Sequence, residues 1–205
     1  MIPSIKSYCD KLTEEFETIP ALRKQILDKI SNYIQGKMND NEAVQLLYVC
    51  THNSRRSHFG QVWAQVAASY YRISNVKTYS GGTEATAFHP NAIRAIEKIG
   101  FEVRKTSEEK NPVYELYHDL NEMPSVCYSK TYDDEKNPRS GFAAIMTCSD
   151  AEENCPFIPG VDLIIATAYD DPKSFDNSPL QDKKYDERCR QIAMEILYVF
   201  SKIKL

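Results

Sequence analysis

Nowhere does this 205-residue chain sustain the roughly 18 consecutive apolar residues that a membrane helix needs. Its opening, MIPSIKSYCDKLTEEF, also lacks the apolar centre of a secretory leader. The expectation is a cytoplasmic protein with no membrane partner. Glycine is scarce, at seven residues, and hydrophobic residues make up 42%, which excludes collagen-like, disordered and miniprotein classes. The chain has no basic excess. Lys plus Arg number 25 against 29 Asp plus Glu, so the broad positive surface of sequence-independent nucleic-acid binding is missing and no nucleic-acid partner is expected. Six cysteines, at 9, 50, 127, 148, 155 and 189, are too few and too irregular for a disulfide-stapled scaffold. No C-x-x-C pair points to zinc, and no metal is expected. These thiols are therefore either packing residues or reactive ones.

What the chain does have is alternation. Residues 4 to 18 and 20 to 37 read as amphipathic helices, the second with Leu22, Ile26, Ile30, Tyr33 and Ile34 at helical spacing. They are expected to form an N-terminal helical extension, 1–40, beside a domain spanning 41–205, either packed on that domain or serving as a dimer contact. From residue 43 a short apolar run, AVQLLYV, ends at Cys50 and is followed by a helix striped with Phe59, Val62, Trp63, Val66, Ala67 and Tyr70. A second strand, 76–80, closes in Gly81-Gly82, and His89-Pro90 opens another helix. Two further apolar runs, 142–148 and 161–169, read as the third and fourth strands, before a last helix over 182–203. Strands alternating with helices predict a three-layer α/β fold whose central parallel four-stranded sheet is flanked by helices. The 109–140 stretch breaks the alternation. VYELYH (113–118) and VCYSKTY (126–132) predict a β-hairpin insertion there.

The most informative segment is Cys50-Thr51-His52-Asn53-Ser54-Arg55-Arg56-Ser57, a C-x5-R followed by a hydroxyl residue, lying between a strand and a helix. A loop that turns from a strand into a helix N-terminus points its backbone N–H groups inward at the positive end of the helix dipole. Residues 51–57 are thus a candidate oxyanion cradle, with Arg56 as a bidentate clamp. The same field favours the thiolate of Cys50, and Ser57 is placed in sequence to donate a hydrogen bond to it. Displacement by a thiolate at phosphorus or arsenic needs a proton donor for the leaving oxygen. In a parallel sheet the C-terminal strand ends share one edge, and the fourth strand runs out into Tyr169-Asp170-Asp171-Pro172. Asp171 is the candidate acid, with Asp170 as the alternative.

Together these residues resemble the low-molecular-weight protein tyrosine phosphatase superfamily, and within it the thioredoxin-coupled arsenate reductases. The resemblance covers residues 43 to 172 apart from the insertion. It implies Cys50 as nucleophile, Asn53 as the loop-shaping residue, Arg56 as oxyanion clamp, Ser57 as hydrogen-bond donor to the thiolate and Asp171 as general acid. Cys148-Ser149-Asp150-Ala151-Glu152-Glu153-Asn154-Cys155-Pro156 resembles the redox segment of the reductase branch. By that resemblance Cys148 attacks the Cys50 adduct, Cys155 resolves the Cys50–Cys148 disulfide, and thioredoxin, as electron donor, reduces the resulting Cys148–Cys155 bridge. No bound cofactor is implied. Cys9, Cys127 and Cys189 match no family position and read as packing residues. His52 stands where the family usually has Gly and Arg55 where it often has Cys or an apolar residue, which adds positive charge to this loop. Two further readings stand beside the reductase: a phosphatase hydrolysing phosphomonoesters through a phosphocysteine, and a non-catalytic oxyanion or redox sensor.

Overall fold

The computed structural model describes residues 1–149 and 158–205. Its centre is a four-stranded, wholly parallel sheet in the order β2-β1-β6-β7, built from β1 (Val44–Cys50), β2 (Val76–Gly82), β6 (Phe142–Met146) and β7 (Val161–Ala166). β1 and β6 lie inside the sheet and are buried on both faces, which is why each reads as a continuous apolar run. Successive side chains take opposite faces. Leu46 and Tyr48 join Ala143 and Ile145 in the larger core, while Leu47 and Val49 pack with Phe142, Ala144 and Met146 in a smaller one.

Parallel pairing requires crossovers, and α3 (Arg56–Tyr70) supplies the one from β1 to β2. The C-terminal helix α5 (Gln181–Ser201) is the spine of the larger core, packed on α3 and on α4 (Pro90–Glu97). Every residue from Ile192 to Phe200 is buried, so this stretch is apolar around nearly its whole circumference. The reason lies in α1 (Pro3–Thr13) and α2 (Ala21–Asn39), which also pack on α5, α2 touching β7 and β1 as well. Ile5, Cys9 and Leu12 of α1, and Leu27, Ile30 and Ile34 of α2, belong to the same core as the sheet. The expected α2 stripe is displaced at its start. Leu22 is 76% exposed, because the face that meets α5 is set by Leu27, Ile30, Ser31 and Ile34, and Leu22 lies off that line. Arg23 crosses from α2 to donate to Glu195 of α5 at 2.8 Å and to the Thr167 carbonyl at 3.0 Å, which props the exit from β7.

The insertion is a hairpin, β4 (Tyr114–Tyr117) with β5 (Ser125–Cys127), and it carries a further strand. β3 (Glu102–Lys105) pairs antiparallel with β4 to complete a three-stranded sheet. The four residues EVRK hold too little apolar pattern to announce a strand, and their pairing depends on partners about nine to fifteen residues away. The second hairpin strand is also shorter than its sequence run: beyond Cys127 the chain leaves β4 and Thr131 bridges instead to Gly82 at the end of β2. β6 ends at Met146 and β7 at Ala166, so Cys148 and Asp171 follow their strands rather than close them. Among the described residues no helix is long and apolar enough to cross a membrane.

Candidate active site

The segment that leaves β1 at Cys50 is held by its carbonyls. Those of Cys50 and Thr51 accept from the amides of Thr83 and Glu84, that of Ser54 from the His89 amide, and that of His52 from the Ser129 hydroxyl at 2.8 Å. None of the backbone amides of residues 51–56 donates a hydrogen bond to the described residues. A loop whose carbonyls are taken up outward while its amides are left unpaired at a helix N-terminus is an anion-binding concavity.

Asn53 gives the loop its shape. It adopts φ 42°, in the left-handed region that Asn tolerates better than most residues, and it is fully buried. Its side-chain amide donates to Ser57 Oγ at 2.8 Å, and its oxygen accepts from the Lys130 amide at 2.9 Å. Ser57 Oγ in turn lies 3.1 Å from Cys50 Sγ, so Cys50, Ser57 and Asn53 form one chain of contacts. Gly82 makes room for this turn: a Cβ there would stand 2.6 Å from the Thr51 carbonyl oxygen and 2.7 Å from the Asn53 nitrogen.

The two arginines of the loop diverge. Arg56 Nη1 donates to the Tyr169 carbonyl at 2.8 Å and Nη2 to Asp171 Oδ2 at 2.6 Å, while its buried Nε has no hydrogen-bond partner among the described residues. An unmet donor on a buried guanidinium beside unpaired amides completes an oxyanion-binding set. Asp171 also caps a short 3₁₀ turn, Pro172–Phe175, by accepting from the Lys173 amide at 3.0 Å. Asp170, the alternative acid, is bonded instead to Arg188, and its side chain is 98% exposed. Arg55 turns to α5: Nε donates to the Tyr185 hydroxyl at 2.6 Å and Nη2 to Asp176 at 3.1 Å. Burial pushes the Asp176 carboxyl upward, but the Tyr185 hydroxyl, the Arg55 charge, His89 and Asn91 outweigh it and hold the group below the usual carboxylate range. Neither Tyr185 nor Asp176 is marked by any motif in the sequence; only the reach of Arg55 brings them to the loop. His52 is only partly buried and stands 3.7 Å from Glu84.

Cys148 is brought to the same place. It is buried, with Sγ 3.5 Å from the Thr51 hydroxyl. Cys155 falls within residues 150–157, outside the described residues. The other three thiols are of a different kind: burial pushes Cys9, Cys127 and Cys189 up to about 12, which keeps them protonated and inert. Cys189 accepts a hydrogen bond from Trp63 Nε1 at 3.3 Å inside the core. Among the described residues no three His, Cys, Asp or Glu side chains gather as a metal site.

No protein-family profile matches the chain. It is 25% identical over 128 residues to arsenate reductase 2 of Staphylococcus epidermidis, an alignment covering 62% of this chain and 77% of the relative. To arsenate reductase 2 of Staphylococcus haemolyticus it is 27% identical over 116 residues, 56% of this chain and 67% of the relative. In fold it is similar to a low-molecular-weight phosphotyrosine phosphatase of Vibrio cholerae, with a TM-score of 0.54 and 13% identity, covering 78% of this chain and 95% of the other. The low-molecular-weight protein tyrosine phosphatase of T. tengcongensis matches with a TM-score of 0.51 and 14% identity, covering 78% of this chain and all of the other, 100%. In sequence the chain is thus similar to arsenate reductases, and its fold is similar to that of low-molecular-weight protein tyrosine phosphatases.

Proposed function

We propose that the protein is an arsenate reductase that uses Cys50 as nucleophile and Cys148 as the second thiol of a disulfide relay. Arsenate sits on the amides of residues 51–56 and on Arg56. The Cys50 thiolate attacks arsenic, an As–O bond breaks, and Asp171 protonates the departing oxygen, which leaves as water. The Cys148 thiolate then attacks Cys50 sulfur. The S–S bond forms as the S–As bond breaks, and that electron pair stays on arsenic, which departs as arsenite. Cys155 exchanges into the Cys50–Cys148 disulfide, and the dithiol of thioredoxin reduces the resulting Cys148–Cys155 bridge. The observation that carries this reading is the contact of Cys148 Sγ with Thr51 Oγ1, 3.5 Å, which sets a second thiol against the nucleophile loop.

The experiment pairs two assays on wild type and Cys148→Ser. With arsenate, thioredoxin, its reductase and NADPH, the wild type is expected to oxidise NADPH and the variant is not. With an aryl phosphate, any phosphate release is expected to persist in the variant. Strong phosphate release without arsenate turnover in the wild type would instead establish the second reading, a phosphatase using Cys50, Arg56 and Asp171. That reading draws on the Arg56–Asp171 contact, which needs no second thiol.

A further inference from the structure

The hairpin insertion does more than lengthen the chain. Together with β2 and α3 it lines a solvent-open pocket of ≈ 450 Å³, within the range of small-ligand sites. Its walls include the apolar surfaces of Tyr79, Val126 and Tyr128 and the amide of Gln61. Its charged lining residues are Lys130 and Lys136; no carboxylate lines it.

Lys130 is the unusual member. It is buried, 6% exposed, yet among the described residues it forms no ion pair; its Nζ stands 4.4 Å from the centroid of the Tyr128 ring. The carboxylate that acts on it from a distance, Asp134, is occupied by the Tyr128 hydroxyl at 3.3 Å and the Lys136 amide at 2.9 Å. An ammonium largely withdrawn from water without a paired carboxylate is costly, and a ring face offsets only part of that cost. An anion entering the pocket would offset the rest. The position is also held from below. The Lys130 amide donates to Asn53 Oδ1 and its carbonyl accepts from the Gly82 amide, both at 2.9 Å, so Lys130 lines the pocket while its backbone is tied to the nucleophile loop and to β2.

We propose that this pocket is a second ligand site, separate from the oxyanion loop, for a small amphipathic monoanion of the aryl or short acyl carboxylate class. The carboxylate pairs with Lys130, and the hydrocarbon part lies against Tyr79, Val126 and Tyr128. A free inorganic oxyanion belongs instead to the loop, where amides and Arg56 surround it and no apolar wall is needed.

Calorimetric titration of the full chain with 1-naphthoate and with the uncharged 1-naphthalenemethanol tests the assignment. Naphthoate is expected to bind one to one and at least about tenfold tighter than the alcohol, which is about 1.4 kcal/mol. Lys130→Met is expected to reduce naphthoate to the affinity of the alcohol. Gln65→Trp, which narrows the pocket from α3 and leaves Lys130 in place, is expected to weaken both probes; it carries the test if Lys130→Met fails to melt cooperatively. Equal affinity of acid and alcohol for the wild type overturns the proposal, as does displacement of naphthoate by inorganic phosphate. So does wild-type binding by either folded variant.

Discussion

Arg56 donates to the Asp171 carboxylate at 2.6 Å, so the chain leaving β7 is bound directly to the first turn of α3. Two nitrogens of the guanidinium are taken up, by Asp171 and by the Tyr169 carbonyl, while Nε has no partner among the described residues. Under the proposed function, an incoming arsenate or phosphate would compete with Asp171 for the same group.

That competition separates binding from turnover. Asp171→Asn removes a negative charge and weakens the rival pair, so phosphate affinity is expected to hold or rise, while turnover falls by about 10²–10⁴-fold with loss of the acid. Arg56→Ala is expected to lose both. Titration with phosphate beside steady-state kinetics measures the two effects; weaker phosphate binding with full turnover in Asp171→Asn would contradict this arrangement.

Asn53 is expected to matter twice. Removing its side chain leaves the Lys130 amide without a partner and frees Ser57, at a cost of about 1–3 kcal/mol for the buried donor. Alanine also has to hold φ 42°, which costs an L-residue about 1 kcal/mol more than glycine. Asn53→Ala should therefore be less stable in urea than Asn53→Gly, and both less stable than wild type.

Arg55→Ala is expected to destabilise, but by less than the roughly 3–5 kcal/mol of a broken, fully buried pair, because Asp176 keeps its bonds to Tyr185 and Asn91 and some contact with water. Lysine is not expected to restore the loss. One ammonium cannot reach both Tyr185 and Asp176 in the fork geometry of the guanidinium. A double-mutant cycle with Asp176→Asn, read by urea denaturation, measures the coupling.

His58 sets an acid limit. Burial, aided by the Lys130 charge, holds its imidazole well below the ordinary histidine range, so the folded state keeps it neutral. The unfolded chain takes up that proton near the ordinary pKa of about 6.5. Below that pH the unfolded state binds more protons, and stability falls with acid at up to about 1.4 kcal/mol per pH unit from this one group. Above it the contribution is constant. Melting curves from pH 8 to 5 should show the decline, and His58→Gln, placed beside Ser80 and Phe88, should flatten part of it. An unchanged slope in a folded variant would exclude His58 as a source.

The readable part of the site was the part written in local chemistry. A strand pattern ending at Cys50, a helical stripe starting after Ser57 and a strand running out into Asp171 are properties of neighbouring residues, and parallel pairing then obliges those ends to share one edge. Ser57 could be picked out for the same reason, whereas Asn53 is marked only through the family resemblance. The C-x5-R pattern singled out Arg56 as the clamp, but counting Arg55 among the anion-binding residues did not foresee where its guanidinium turns. Their guanidiniums part because Tyr185 and Asp176 stand more than a hundred residues away in sequence and close to Arg55 in space.

Sequence by itself thus determined the chain order of the four parallel strands and their helices and the edge at which Cys50, Cys148 and Asp171 gather. Periodicity and turn chemistry are local, and parallel pairing leaves little freedom beyond them. Tertiary structure alone decided that Leu22 faces outward, that EVRK becomes a strand, that Arg56 holds Asp171, and that Lys130 is buried beside the loop without an acid. Each of these depends on which distant surface arrives opposite the residue, and burial, pairing and charge compensation are properties of that meeting, not of either segment alone.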